Sequence, residues 1–198
     1  ARYYAEAIAQ GRFEDAMGVE TAELLSEVGE VPDLRRGRVS EPSSVVSVRV
    51  YDERDVWGRQ GASIDLSVNG RTITREIYLE RVGVPRPHVG MWRVVSGAAH
   101  VETVLAYGYA SDVSVGGVSL GALGASGDGG ATFPVAASTD GLWHAGYGGA
   151  GVYAYPGIYD VSVAKVSEHT QVAVDSVVGA STLSVLSESR EHQIDVTQ

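Results

Sequence analysis

The chain has 198 residues, is 44% hydrophobic, contains no cysteine and carries a formal charge of −10. Such a composition is that of a folded protein, and the missing thiols exclude cysteine nucleophiles, disulfides and thiolate metal sites together. From residue 101 onward two basic residues stand against ten acidic ones, and in the first hundred thirteen stand against fifteen, so nucleic acid is not an expected partner and the second half should be repelled by anionic lipid.

Apolar runs are only a few residues long, so no direct insertion into a membrane is expected of this chain. It opens on Ala1 and closes on Asp195-Val196-Thr197-Gln198 without a cap or tail. It reads as a piece of a longer protein.

Residues 3–29 carry the only clear helical pattern. Tyr4 and Ile8 stand four apart, as do Phe13 and Met17, and Thr21, Leu24, Leu25 and Val28 follow the spacing of one buried stripe. Gly11, Gly18 and Gly29 fall where left-handed glycines would end helices. Two or three short helices are expected.

Residues 31–42, with Arg35, Arg36 and Arg38, read as a polar connector. A strand is expected over 45–51 with Val46, Val48 and Val50 on one face. Asn69-Gly70 between two alternating segments predicts a hairpin with a two-residue type I′ turn. That turn fixes the register, setting Val68 against Arg71, Leu66 against Ile73, Ile64 against Arg75 and Ala62 against Ile77. The opposite face, with Ser63, Asp65, Ser67, Thr72, Thr74 and Glu76, should meet water. After a loop over 82–90, residues 91–96 form a further strand. Helices followed by such a sheet make an α+β layer.

The opening Tyr3-Tyr4-Ala5-Glu6-Ala7-Ile8-Ala9-Gln10-Gly11-Arg12-Phe13-Glu14-Asp15-Ala16, with Trp92 in a late strand, resembles cystatin-like, nuclear-transport-factor-like cone domains found outside bacterial membranes. The resemblance covers about half the chain and implies a curved sheet wrapped over short helices.

The second half holds 15 of the 25 glycines and 12 of the 40 charged residues, the composition of an all-β segment. Strands are expected at 101–107, 113–115, 118–120, 131–136, 143–147, 152–155, 158–166, 171–178 and 183–186, with Gly116-Gly117 as a hairpin turn, in the manner of a sandwich. Tyr153-Ala154-Tyr155-Pro156-Gly157-Ile158-Tyr159-Asp160-Val161-Ser162-Val163 resembles the Pro-Gly strand of PEGA-type immunoglobulin-like envelope modules. Together the two resemblances imply a cone domain, residues 1–98, followed by an immunoglobulin-like β-sandwich, residues 99–198. That arrangement is similar to the extracytoplasmic parts of anchored bacterial envelope proteins, including the teicoplanin-resistance-associated family.

Several motifs imitate catalytic sites. Gly146-Tyr147-Gly148-Gly149-Ala150-Gly151 spells the dinucleotide fingerprint, but strand and turn residues follow it where a helix must receive the pyrophosphate. Gly117-Val118-Ser119-Leu120-Gly121 spells a nucleophile elbow, with Asp140 and His169 in hydrolase order, yet Ser119 falls on the return strand of a hairpin. His88, His100, His144, His169 and His192 lack the spacing of a zinc pair, and Gly127-Asp128-Gly129-Gly130 lacks the alternating acids of a calcium loop. No cofactor, metal or catalytic residue is expected.

Arg75 is the unusual residue, because the hairpin register turns it toward the apolar face, where a guanidinium needs a carboxylate, a carbonyl or an anion. A ligand pocket near Arg75 would have Tyr4 and Trp92 as walls. The sequence therefore points to a non-catalytic, extracytoplasmic binding or spacer module with a cell-envelope component or protein as partner. A small-molecule binder or minor enzyme using the cone interior is one alternative, and an adhesin or filament subunit is another.

Overall fold

The computed structural model describes residues 1–26, 31–82, 91–108, 110–123, 147–165, 171–174, 177–178, 182–185 and 191–197. The protein is mostly β-sheet, with a few short helices and one sheet curled into a half-barrel.

The helices are α1 (Arg2–Ala9), α2 (Phe13–Met17) and α3 (Ala22–Ser26). α1 buries Tyr4, Ala5, Ala7, Ile8 and Ala9 and packs on the curled sheet. It stops at Gly11, which is left-handed at φ +68° and whose amide returns to the Ile8 carbonyl at 2.9 Å. A side chain there would meet Val39 Cγ2 at 2.4 Å, so glycine is required twice over. Gly18 differs from expectation, for its φ of −61° is right-handed. The turn after α2 is set by pairing instead: the Val94 amide donates to the Val19 carbonyl and the Thr21 amide to the Val94 carbonyl, each at 2.9 Å. α3 is too short to carry the whole expected stripe, since five residues are little more than one turn. Leu24 is buried and Leu25 is exposed. Val28 and Gly29 lie outside the described residues.

A 3₁₀ turn, Leu34–Arg36, precedes β1 (Val39–Glu41). The half-barrel follows as an antiparallel meander of β2 (Ser44–Arg54), β3 (Gln60–Val68), β4 (Arg71–Val82) and β5 (Met91–Ser96). Asn69 at φ 50° and Gly70 at φ 72° form the expected tight turn. The register is the one the sequence dictates, with Ile64 against Arg75 and Ala62 against Ile77. Ala62, Ile64, Leu66, Val68, Ile73 and Ile77 are all buried on the concave face.

Two expectations for this sheet fail. Val46 leaves the face that Val48 and Val50 share, because the register shifts between Val45 and Ser47; Val48 and Val50 stand opposite buried Ile64 and Ala62, with Val45 and Val48 packed inward and Val50 exposed. Ser63, on the outward face, is buried all the same.

The remaining strands are β6 (His100–Gly108), β7 (Ala110–Val115), β8 (Val118–Leu123), β9 (Tyr147–Ala154), β10 (Gly157–Lys165), β11 (Gln171–Val174), β12 (Val177–Val178), β13 (Thr182–Val185) and β14 (Glu191–Thr197). One sheet runs β1-β10-β7-β8 with β13 also on β10, and another runs β12-β11-β14-β6-β9. All pairings are antiparallel except β14 with β6. Gly116 and Gly117, at φ 59° and 82°, turn β7 into β8. The strands expected at 131–136 and over 143–146 lie outside the described residues.

β1 was expected to be connector, yet it pairs with β10, and the Arg38 amide donates to the Gly116 carbonyl at 2.9 Å. One hydrophobic cluster runs from Tyr4 on α1 through the half-barrel to Tyr159 and Val161 on β10. Residues from both sides of the expected 98/99 boundary contribute to it.

Candidate functional site

Among the described residues the most densely bonded feature is a buried polar hub around Glu20. Glu20 sits in the turn between α2 and α3, and its side chain is wholly enclosed. Pairing of this turn with Val94 on β5 fixes the position of Glu20. The Tyr4 hydroxyl from α1 and the Tyr155 hydroxyl each donate to Glu20 Oε1 at 2.6 Å, and Arg35 Nη1 donates to Oε2 at 2.9 Å. A buried carboxylate needs such donors, because an uncompensated charge inside a protein costs several kcal/mol at the order of magnitude.

Arg35 is in turn held by Asp33. Its Nε and Nη2 donate to Oδ1 and Oδ2 at 2.9 and 3.1 Å, a two-pronged pair that uses the planar fork of the guanidinium. Asp33 Oδ1 also accepts the Arg35 amide, capping the 3₁₀ turn. The Arg35 guanidinium lies 4.6 Å from the centre of the Tyr153 ring, a cation–π contact. The Tyr153 amide donates to the Pro32 carbonyl at 2.9 Å, which places this ring.

Titration follows from the packing. Burial, and then the neighbouring Tyr155 and Glu20, push the Tyr4 phenol well above its ordinary value. Burial and Glu20 do the same to Tyr155. For Arg35, burial by itself opposes the charge, but the Asp33 hydrogen bonds and the charges of Asp33 and Glu20 overcome it and raise the guanidinium. The phenols thus remain donors and the guanidinium a cation throughout the physiological range. Glu20 is enclosed and occupied on both oxygens, whereas a general base must reach a substrate proton. The hub is built to hold elements together.

Tyr4 and Arg75 meet at one peptide. The Tyr4 hydroxyl accepts the Ala98 amide at 3.0 Å, and Arg75 Nε donates to the Ala98 carbonyl at 3.2 Å. Arg75 is 8% exposed, so it lies in the interior as the register implies. Trp92 does not join them; it is 41% exposed, with the Arg54 guanidinium 5.9 Å from its ring centre.

Beside the hub an open groove of about 960 Å³ runs between α2 and the 3₁₀ turn. Phe13, Met17 and Leu25 line it, as do Arg12, Arg36 and Arg38. Of its charges, Arg12 pairs with Asp15 and Arg35 with Asp33.

The imitation motifs are strand. Residues 147–151 of the glycine fingerprint lie in β9, and Ser119 lies in β8, where its hydroxyl donates to Asp112. Gly146, Asp140, His88, His144, His169 and the loop at 127–130 lie outside the described residues. Among the described residues no cluster of three metal-ligating side chains occurs.

Sequence reading missed Glu20, Asp33, Arg35 and Tyr155 as one unit. The available signal was weak: an Asp-x-Arg step in a polar connector and a tyrosine before a Pro-Gly turn. No family model, curated protein or solved structure matches the chain.

Proposed function

We propose that the chain is a non-catalytic extracytoplasmic module of a membrane-anchored or secreted bacterial cell-envelope protein, in which it spaces or binds other envelope components. In this reading residues 1–98 are the cone unit and residues 99–198 an immunoglobulin-like unit, acting as one stiff body. The observation that supports it is the Glu20 hub, which ties α1, the α2–α3 turn, the 3₁₀ turn and Tyr155 through one enclosed carboxylate. A spacer must transmit position from one end to the other, and buried, fully partnered polar contacts fix a single arrangement of elements.

The curled sheet over short helices is also the architecture that the cone resemblance implies. The setting is tested in producing cells. Protease added to intact spheroplasts should digest the protein while a cytoplasmic marker survives. Equal protection of both would refute the extracytoplasmic assignment.

A further inference from the structure

The chain contains a single asparagine, Asn69, and a glycine follows it. These two residues form the loop of the β3–β4 hairpin, where both are exposed and both have positive φ, 50° and 72°. The reactive groups of the pair are free. Among the described residues nothing bonds the Asn69 carboxamide, the Asn69 carbonyl or the Gly70 amide, and no atom lies within 4 Å of the space a Gly70 side chain would take. The β2–β3 turn differs, for there Asp55 Oδ1 accepts the amides of Trp57 and Arg59 at 2.9 and 2.8 Å.

Backbone geometry lets the free groups meet without unfolding. Type I′ and type II′ turns share a positive φ at the first central residue and differ by rotation of the peptide that follows it. In this turn that peptide joins Asn69 to Gly70, so its rotation breaks no bond to the protein, and glycine accepts either sign of φ. The rotation turns the Gly70 nitrogen toward the Asn69 side chain. We propose that Asn69 is a self-modification site, at which the folded hairpin deamidates through a succinimide with water as the co-reactant. The Gly70 nitrogen gives up its proton to hydroxide and adds to Asn69 Cγ; the bond from Cγ to the carboxamide nitrogen breaks, and ammonia leaves after taking a proton from water. Water then opens the ring. Attack at Cγ yields aspartate, whereas attack at the old main-chain carbonyl breaks its bond to Gly70 and leaves isoaspartate, with the chain running through Cβ and Cγ.

Either product adds one negative charge to a chain of −10, but only isoaspartate inserts a carbon into the loop, lengthening the path by about 1.5 Å. The pairing of β3 with β4 depends on a loop of exactly two ordinary residues. That pairing holds Ile73, Arg75 and Ile77 on the buried face. Isoaspartate at the turn therefore loosens the half-barrel from its Val68–Arg71 end. The reaction goes beyond the spacer reading and does not depend on where the protein resides.

The test is incubation of the folded 198-residue chain in mildly alkaline buffer, followed by tryptic digestion and mass spectrometry of residues 60–71. That peptide should convert progressively to isoaspartate and aspartate, faster as hydroxide rises. Tyr155→Phe lowers stability far from the turn and should leave the rate unchanged, whereas a reaction that waits for unfolding would speed up by about fivefold or more. Gly70→Ala, whose methyl group screens the attacking nitrogen, should slow conversion severalfold. The converted chain, separated by ion exchange, should unfold at lower urea than Asn69→Asp, which carries the same charge on an unlengthened turn. No conversion, a rate that climbs in Tyr155→Phe, indifference to Gly70→Ala, or a urea midpoint equal to that of Asn69→Asp would overturn the proposal.

Discussion

Glu20→Ala is the perturbation that the interior of this protein should tolerate least. It leaves the Arg35 cation with Asp33 as its ionic partner among the described residues, and it removes the acceptor of two enclosed phenols. Breaking a buried ion pair on one side costs about 3–5 kcal/mol, and each orphaned hydroxyl adds about 1–3 kcal/mol, with overlap between the terms. A loss of about 5 kcal/mol is a large part of the ~5–15 kcal/mol that stabilises a typical domain. At this chain length it corresponds to a Tm lower by about 10–20 °C.

Urea unfolding read by circular dichroism measures the loss directly, provided the m-value is unchanged. Milder variants keep the reasoning testable if Glu20→Ala does not fold. Tyr155→Phe removes one donor and should cost about 1–2 kcal/mol. Tyr4→Phe should cost more, because the Ala98 amide also loses its acceptor. A Glu20→Ala loss below about 1 kcal/mol, or the reverse order of the two phenylalanine variants, would refute the account of the hub.

Two glycines separate strain from crowding. Gly70→Ala meets open space and pays only for its left-handed φ of 72°, about 1 kcal/mol in urea unfolding, whereas Gly11→Ala adds a collision with Val39 and should lose clearly more. Acid sensitivity should come from Asp65 and Asp112, whose carboxyls are held below the ordinary range by hydrogen bonds from Ser47 and Thr74 and from Ser119 and Ser114 respectively. A depressed folded pKa stabilises fully above the ordinary carboxylate value of about 4 and is lost as pH falls through the folded one. Asp65→Asn and Asp112→Asn should therefore flatten the acid side of a plot of urea midpoint against pH and leave its neutral side flat; an unchanged acid slope would contradict the assignment.

What could be read from the sequence was what neighbouring residues decide among themselves. Asn69-Gly70 sets the β3–β4 pairing residue by residue, because a two-residue loop leaves one register, whereas Gly116-Gly117 sets only the first pairs of β7 and β8, Val115 with Val118 and Ser114 with Ser119, before the register shifts. The limits of β5 are those expected, Met91–Ser96. Local pattern fails where a distant partner decides. β1 is three residues that become strand only against β10, 118 positions further on in the Ser40 to Ile158 bond.

The bulge at Val46 takes that residue off the face that Val48 and Val50 share, and nothing in the valines themselves marks it. Tyr155 reaches Glu20 across 135 positions, so the hub could not be read from spacing. Arg75 is the instructive intermediate. Its inward direction followed from register, while its partner at Ala98 depended on the crossing at residues 97–99.

Native-state hydrogen exchange tests most directly whether the helices, half-barrel and β9–β10 region behave as one body. The amides of Val94, Ala98 and Tyr153 report the β5 pairing, the Tyr4 contact and the link to Pro32. The account predicts that they open with a common free energy in the wild type, and that Glu20→Ala lowers all three together. Protection of Val94 and Ala98 unchanged while Tyr153 alone exchanges faster would contradict it.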